Sequence, residues 1–206
     1  MIKRCVEILY FLLIFSFILQ TGKHYWPSFS FISGIRVDYL SPTLYLSDVI
    51  VGMLIPGFIF GYWLEIQRDL RYFFSHRLWI LLGVVFVYTL FISTVNAYQP
   101  LIALYGLIKL LGAVCVGYMT TVILRDKANI IWVFKVIVFA GGIASIIGIF
   151  QFLIQQSIGS WLYLLGERSF TAYTPGIARF VLEDNVLLRP YATFPHPNVF
   201  AFFLYT

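Results

Sequence analysis

Leu78-Trp-Ile-Leu-Leu-Gly-Val-Val-Phe-Val-Tyr-Thr-Leu-Phe-Ile-Ser-Thr-Val95 is eighteen residues without one charged side chain. A helix needs about 20 apolar residues to cross the hydrocarbon core of a bilayer, so this run reads as a membrane span. Working outward, similar runs recur at about 5–20, 44–64, 101–124 and 130–154, and another begins at 197. The expected fold is all-α: a polytopic transmembrane helix bundle of five full spans plus the start of a sixth, forming one domain over residues 1–206. Two longer connections, at about 21–43 and 156–195, are expected as extracytoplasmic loops.

Composition agrees. Hydrophobic residues make up 61% of the chain, aromatics 19% and charged residues 11%, whereas soluble domains carry about 25% charged residues. Mean hydropathy is +0.89. The net charge of +5 comes from residues in short connections beside apolar runs, not from a basic stripe with interleaved aromatics, so nucleic acid is not an expected partner. Cys5 and Cys115 lie in apolar runs and read as small packing residues, with no disulfide framework and no thiolate metal site. The N-terminal Lys3-Arg4 followed by an apolar run imitates a signal peptide without a small-x-small cleavage site, so it reads as an uncleaved first span.

Lys3, Arg4, Arg68, Arg71, Arg77, Arg125 and Lys127 all fall on one side if the spans alternate, and the turn at 96–100 has no Lys or Arg. By the positive-inside rule the basic side and the N-terminus are cytoplasmic. Gly57 and Gly61 form a small-xxx-small face in the second span, and Gly141, Ser145 and Gly148 another in the fifth. Lys109 lies about eight residues into its span, roughly 12 Å deep at 1.5 Å per residue. It shares a helix face with Gly106, Ala113 and Gly117, which points it into the bundle as a functional candidate; snorkelling is the alternative. Arg36 either pairs with Asp38 two residues on or points at an anionic ligand.

The connection at 156–195 is long, and long loops tend to be functional. Ser160–Gly166 reads as a short interfacial helix, Thr174-Pro-Gly176 as a turn, and 177–188 as a small hairpin turning at Glu183-Asp184-Asn185. The densest chemistry follows in Arg189-Pro-Tyr-Ala-Thr-Phe-Pro-His-Pro-Asn198. Pro favours the first position of a helix and biases its predecessor out of one. A helix is therefore expected from Pro197, with the N–H groups of Asn198 and Val199 free beside Arg189 and His196. That is a place for an anion such as phosphate. The plainer reading is a membrane helix whose polar start sits among headgroups. The last apolar run stops at Thr206, too soon for a span, so the chain reads as the front part of a longer protein, a fragment expected to be inactive alone.

Arg189-Pro-Tyr-Ala-Thr-Phe-Pro-His-Pro-Asn-Val-Phe-Ala201 resembles the signature of the O-antigen ligase and O-antigen polymerase superfamily: Arg, then Gly-Thr-Phe, then Asn- or His-Pro-Asn and a membrane helix. Lys23-His-Tyr-Trp-Pro27, Gly34-Ile-Arg-Val-Asp-Tyr-Leu-Ser-Pro42 and Tyr45-Leu-Ser-Asp48 are similar to the first loop and second span of bacterial members. Ala192 departs from the pattern, which has Gly there, and is expected to stiffen the turn. The resemblance implies a metal-independent membrane glycosyltransferase of the GT-C type, without cofactor, in the bacterial inner membrane. It would pass a glycan from undecaprenyl diphosphate to an acceptor sugar, lipid or protein at the outer face. Arginines would hold the diphosphate leaving group. The family's best-established Arg and His residues lie on a later loop beyond this chain, so catalytic residues are not assigned. Arg189, His196, Asn198, Arg36 and Lys109 are the substrate-binding candidates, with Pro197 shaping the site. The alternative is a polysaccharide or small-solute transporter, with Lys109 marking its pathway; a non-functional piece of a split gene is a third possibility.

Overall fold

A computed structural model describes residues 1–37, 40–182 and 184–205. The chain forms two compact units. One comprises residues 1–9, 23–44 and 48–127, and the other residues 10–22, 45–47 and 128–206. Each is described by itself.

The helices are α1 (Ile2–Ser16), α2 (Leu46–Gly61), α3 (Trp63–Ser75), α4 (Arg77–Val95), α5 (Pro100–Ile123), α6 (Lys127–Ile154) and α7 (Pro197–Tyr205). Three of them, α4, α5 and α6, are long and apolar enough to cross a membrane; the count rises to four if the bent pair α2 and α3 is one broken span. This corrects the expectation of five full spans and the start of a sixth. Length is the reason. At 1.5 Å per residue the 15 residues of α1 and 16 of α2 reach about 22–24 Å, short of a hydrocarbon core of about 30 Å. The apolar run after Ser16 does not prolong α1. The Ser16 hydroxyl donates to the Leu13 carbonyl, and the Phe17, Ile18 and Leu19 amides bond three residues back, a tightened final turn.

The architecture is not all-α either. Residues 21–43, expected as a loop, hold strands β1 (Gly22–His24), β2 (Phe31–Ile32), β3 (Ile35–Arg36) and the start of β4 (Thr43–Tyr45). β1 pairs with β4, and β2 with β3 as a hairpin. Strands β5 (Arg179–Leu182) and β6 (Asn185–Leu188) make the expected second hairpin, Arg179 opposite Leu188 and Leu182 opposite Asn185. Glu183 of that turn, and Asp38 of the expected Arg36–Asp38 pair, lie outside the described residues.

In the first unit, α1 packs on the small face of α2. A Cβ on Gly57 would meet Val6 at 3.2 Å and one on Gly61 would meet Ile2 at 3.3 Å. At Tyr62 the chain breaks, and α3 leaves α2 at 85°. Residues 67–77, expected as a basic connection, therefore lie almost wholly within this helix. Lys3 of α1 reaches Glu65 at 2.6 Å. Asp69 accepts from Arg125, after the end of α5, at 2.7 Å and from Tyr118 of α5 at 3.1 Å. Gly106 and Gly117 have open space where a Cβ would stand, so the expected packing face around Lys109 is not one.

In the second unit the buried residues of α6 are Asn129 near its start and then Ala140, Ala144, Ile147, Gly148 and Gln151. The face from Ala140 onward lies one residue off the expected Gly141 and Ser145 while keeping Gly148. Ala140, Ala144 and Ile147 cluster with Ile18, Leu162, Ala192, Phe194 and Phe200. Gly148 is needed there, because an added Cβ would stand 2.8 Å from the Phe200 ring.

Candidate functional site

The second unit builds a polar corner around the start of α7, and its foundation is Gln151. This residue has no exposed surface, and its amide is fully used. Its Oε1 accepts from the Tyr191 N–H at 3.0 Å and the Ala192 N–H at 2.7 Å, while its Nε2 donates to the Ala192 carbonyl and to Glu167 Oε1, both at 2.8 Å. Glu167, 4% exposed, is held in turn by the backbone N–H groups of Ile158 and Gly159, each at 2.7 Å. One helix turn along, Gln155 Oε1 accepts from the Leu188 N–H at 2.7 Å. A buried polar network this well satisfied fixes one conformation, since losing a partner leaves a costly unpaired group. Thr193 adds a hydroxyl bond to the Ile18 carbonyl.

On this base the segment 189–198 presents its side chains. Arg189 follows β6, and its Nη2 donates to Asn198 Oδ1 at 2.9 Å. α7 begins at Pro197 as expected, but its first amides are not free. Asn198 N–H donates to His196 Nδ1 at 3.1 Å, and Val199 N–H to the His196 carbonyl at 3.0 Å. His196 is therefore the cap of the helix. A neutral ring that accepts through Nδ1 carries its proton on Nε2, so this exposed imidazole offers a donor and not a base. Its ring stands edge-on to Tyr191 at 6.2 Å. Arg168 joins from the long connection, with its Nη1 donating to the Pro195 carbonyl at 3.3 Å. Among the described residues neither Arg168 nor Arg189 makes an ion pair. Two guanidiniums thus each bond a residue of the segment 195–198, which also carries an exposed imidazole, a set of donors that suits a doubly or multiply charged anion.

The structure brings Arg189, His196 and Asn198 together. Arg36 and Lys109 belong to the first unit. The Arg36 guanidinium lies 5.3 Å over the ring of Trp26, which also stacks on His24 at 5.7 Å. Lys109 bonds Asp48 and stands 5.3 Å over the Tyr105 ring. The Tyr105 hydroxyl donates to the Thr43 carbonyl at 2.8 Å. These contacts give Lys109 an acid partner inside its own unit. No three His, Cys, Asp or Glu side chains group as a metal site among the described residues.

Gln151, Glu167 and Arg168 were not foreseen from the sequence. The signal was slight: one amide in an otherwise apolar run, with a second, Gln155, four residues later. The fact that Glu167 folds back onto Gln151 is a tertiary matter. Comparison with protein-family models, characterised proteins and solved structures finds no match to this chain.

Proposed function

We propose that the chain belongs to a membrane glycosyltransferase of the O-antigen ligase and polymerase type, and that the corner formed by Arg168, Arg189, Asn198 and His196 holds the diphosphate of an undecaprenyl-linked glycan. The observation that carries this reading is that two cations, both without an acid partner among the described residues, bond the segment 195–198 that bears His196, just after a turn locked from beneath by Gln151. Glycan transfer from a lipid diphosphate releases that diphosphate, whose charge grows as the bond breaks. Fixed donors placed where the charge develops accelerate such a step. With its proton on Nε2, His196 supplies a hydrogen bond to a phosphate oxygen, and activating the acceptor hydroxyl falls to another residue.

Sidedness supports the same reading. Lys3 and Arg125 are tied to α3, which gathers them with its own Arg68 and Arg71 at the N-terminal end of α1 and the C-terminal end of α5. By the positive-inside rule that end is cytoplasmic. α6 begins at Lys127 and is 28 residues long, enough to cross; with Lys127 inside by the same rule, Gln151 near its far end and the corner built on it face the extracytoplasmic side.

The test has two arms. Purified wild-type protein in nanodiscs binds undecaprenyl diphosphate, and Arg189→Ala weakens that binding at least tenfold while leaving expression and insertion unchanged. In cells the same substitution cuts glycan transfer from the lipid carrier. Equal binding and equal transfer in the variant would remove Arg189 from the site.

A further inference from the structure

We infer that α3 is an interfacial helix that docks on a leaflet of anionic phospholipid. Three faces of this 13-residue helix do different things. Trp63, Leu70 and Phe74, spaced by seven and four residues, share one face and are 51%, 48% and 64% exposed. Glu65 and Asp69, four apart on a second face, are held by Lys3 and Arg125, which turns that face toward the protein. Arg68 and Arg71, three apart on the third face, are exposed, and Arg77 follows at the start of α4.

The division of charge selects the occupant. Both acids of α3 are engaged by cations from elsewhere in the unit. Among the described residues Arg71 makes only a bond to the Gln67 carbonyl at 3.4 Å. Arg68 touches Asp69 at 3.4 Å, the longer of that carboxylate's two ion pairs among the described residues. Arg77 makes no ion pair among the described residues. A helix with an exposed aromatic and leucine stripe, a basic flank and its acids turned inward matches the boundary between acyl chains and negatively charged headgroups. The 85° turn from α2 at Tyr62, together with the tie from Asp69 to the end of α5, sets α3 across the ends of helices and not along them.

The test uses the full chain with Trp63 as its one tryptophan, the other four replaced by Phe, reconstituted in vesicles. Acyl chains brominated on phosphatidylglycerol or on phosphatidylcholine quench Trp63 only from within lipid. The expected result is stronger quenching by the brominated phosphatidylglycerol at equal mole fraction, with the preference falling as salt rises. Replacing Arg68, Arg71 and Arg77 by Gln lowers the preference by about fivefold per residue while quenching by brominated phosphatidylcholine persists. The salt titration of the tryptophan-only protein stands on its own if the triple variant does not insert. Equal quenching by the two lipids at low salt overturns the selectivity. Quenching by aqueous acrylamide without quenching by either lipid overturns the docking altogether.

Discussion

Gln151 grips Ala192 from both sides: one amide accepts the Ala192 N–H at 2.7 Å and donates to the Ala192 carbonyl at 2.8 Å. A side chain on α6 thereby does for one residue what a neighbouring strand does for a ladder. The turn so held is the one that carries Arg189 toward Asn198 and His196. Removing the grip leaves the Tyr191 and Ala192 amides, the Ala192 carbonyl and one Glu167 oxygen short of a partner in a buried place. Each such loss costs about 1–3 kcal/mol. Gln151→Leu is expected to destabilise the protein by at least about 3 kcal/mol, read as a lowered unfolding midpoint in detergent. A midpoint equal to wild type would mean that the network is not needed.

Ala192 adopts φ +50°, a region where a Cβ is disfavoured and Gly is at ease. The left-handed conformation costs a non-glycine residue about 1–2 kcal/mol. Gly gives part of that back through its freer unfolded chain. Ala192→Gly is therefore expected to raise stability by about 0.5–1 kcal/mol without weakening anion binding. A drop in the unfolding midpoint would show that the alanine methyl, in its buried cluster with Phe194 and Phe200, matters more than the backbone strain.

Gly148→Ala should push the Phe200 ring away, since the new Cβ stands 2.8 Å from it. Overpacking of this kind costs about 1–3 kcal/mol. Phe200→Leu in the same chain makes room and should recover part of the loss. Gly142→Ala, on the same helix with nothing within 4 Å, serves as the control and should be neutral or slightly stabilising through helix propensity.

The Asp69 clasp should respond to acid. Burial pushes its pKa up, but bonds from Arg125, Tyr118 and Arg68 outweigh this and hold it below the ordinary 3.8. A carboxylate lowered on folding contributes stability that is present above the unfolded value and is lost as pH falls through the folded one. Stability is thus expected to be insensitive to this group from pH 5 upward and to fall below about pH 4. Asp69→Asn should be less stable at pH 7 and show a shallower acid limb in thermal melts. Limbs of equal steepness would mean that the clasp adds nothing to folding.

Lys109 and Asp48 should be coupled. Lys109→Met removes the cation beside Asp48, and Asp48→Asn in the same chain should return part of the lost stability. A double-mutant cycle is expected to give about 0.5–3 kcal/mol of coupling. Strict additivity would mean that the pair does not stabilise the first unit.

Composition and apolar runs alone determined that the chain carries helices apolar enough to cross a membrane, and the long apolar runs marked α4, α5 and α6 to within about three residues, because the preference of that much apolar surface for lipid depends on residue type and not on partners. Pro197 likewise announced the start of α7, since proline's fixed φ is a local property. Only tertiary structure decided the rest. Whether the runs at 5–20 and 44–64 were long enough to cross turned on where each helix stops. One stops early at Ser16, whose hydroxyl donates to the Leu13 carbonyl, and the other ends at Tyr62, where α3 swings onto Lys3 and Arg125. The site shows the same division. Arg189, His196 and Asn198 stand close in sequence and were legible as a group. Gln151, Glu167 and Arg168 come from up to 41 residues away, and their meeting is set by which buried polar atoms must find partners, a condition that only the packed chain imposes.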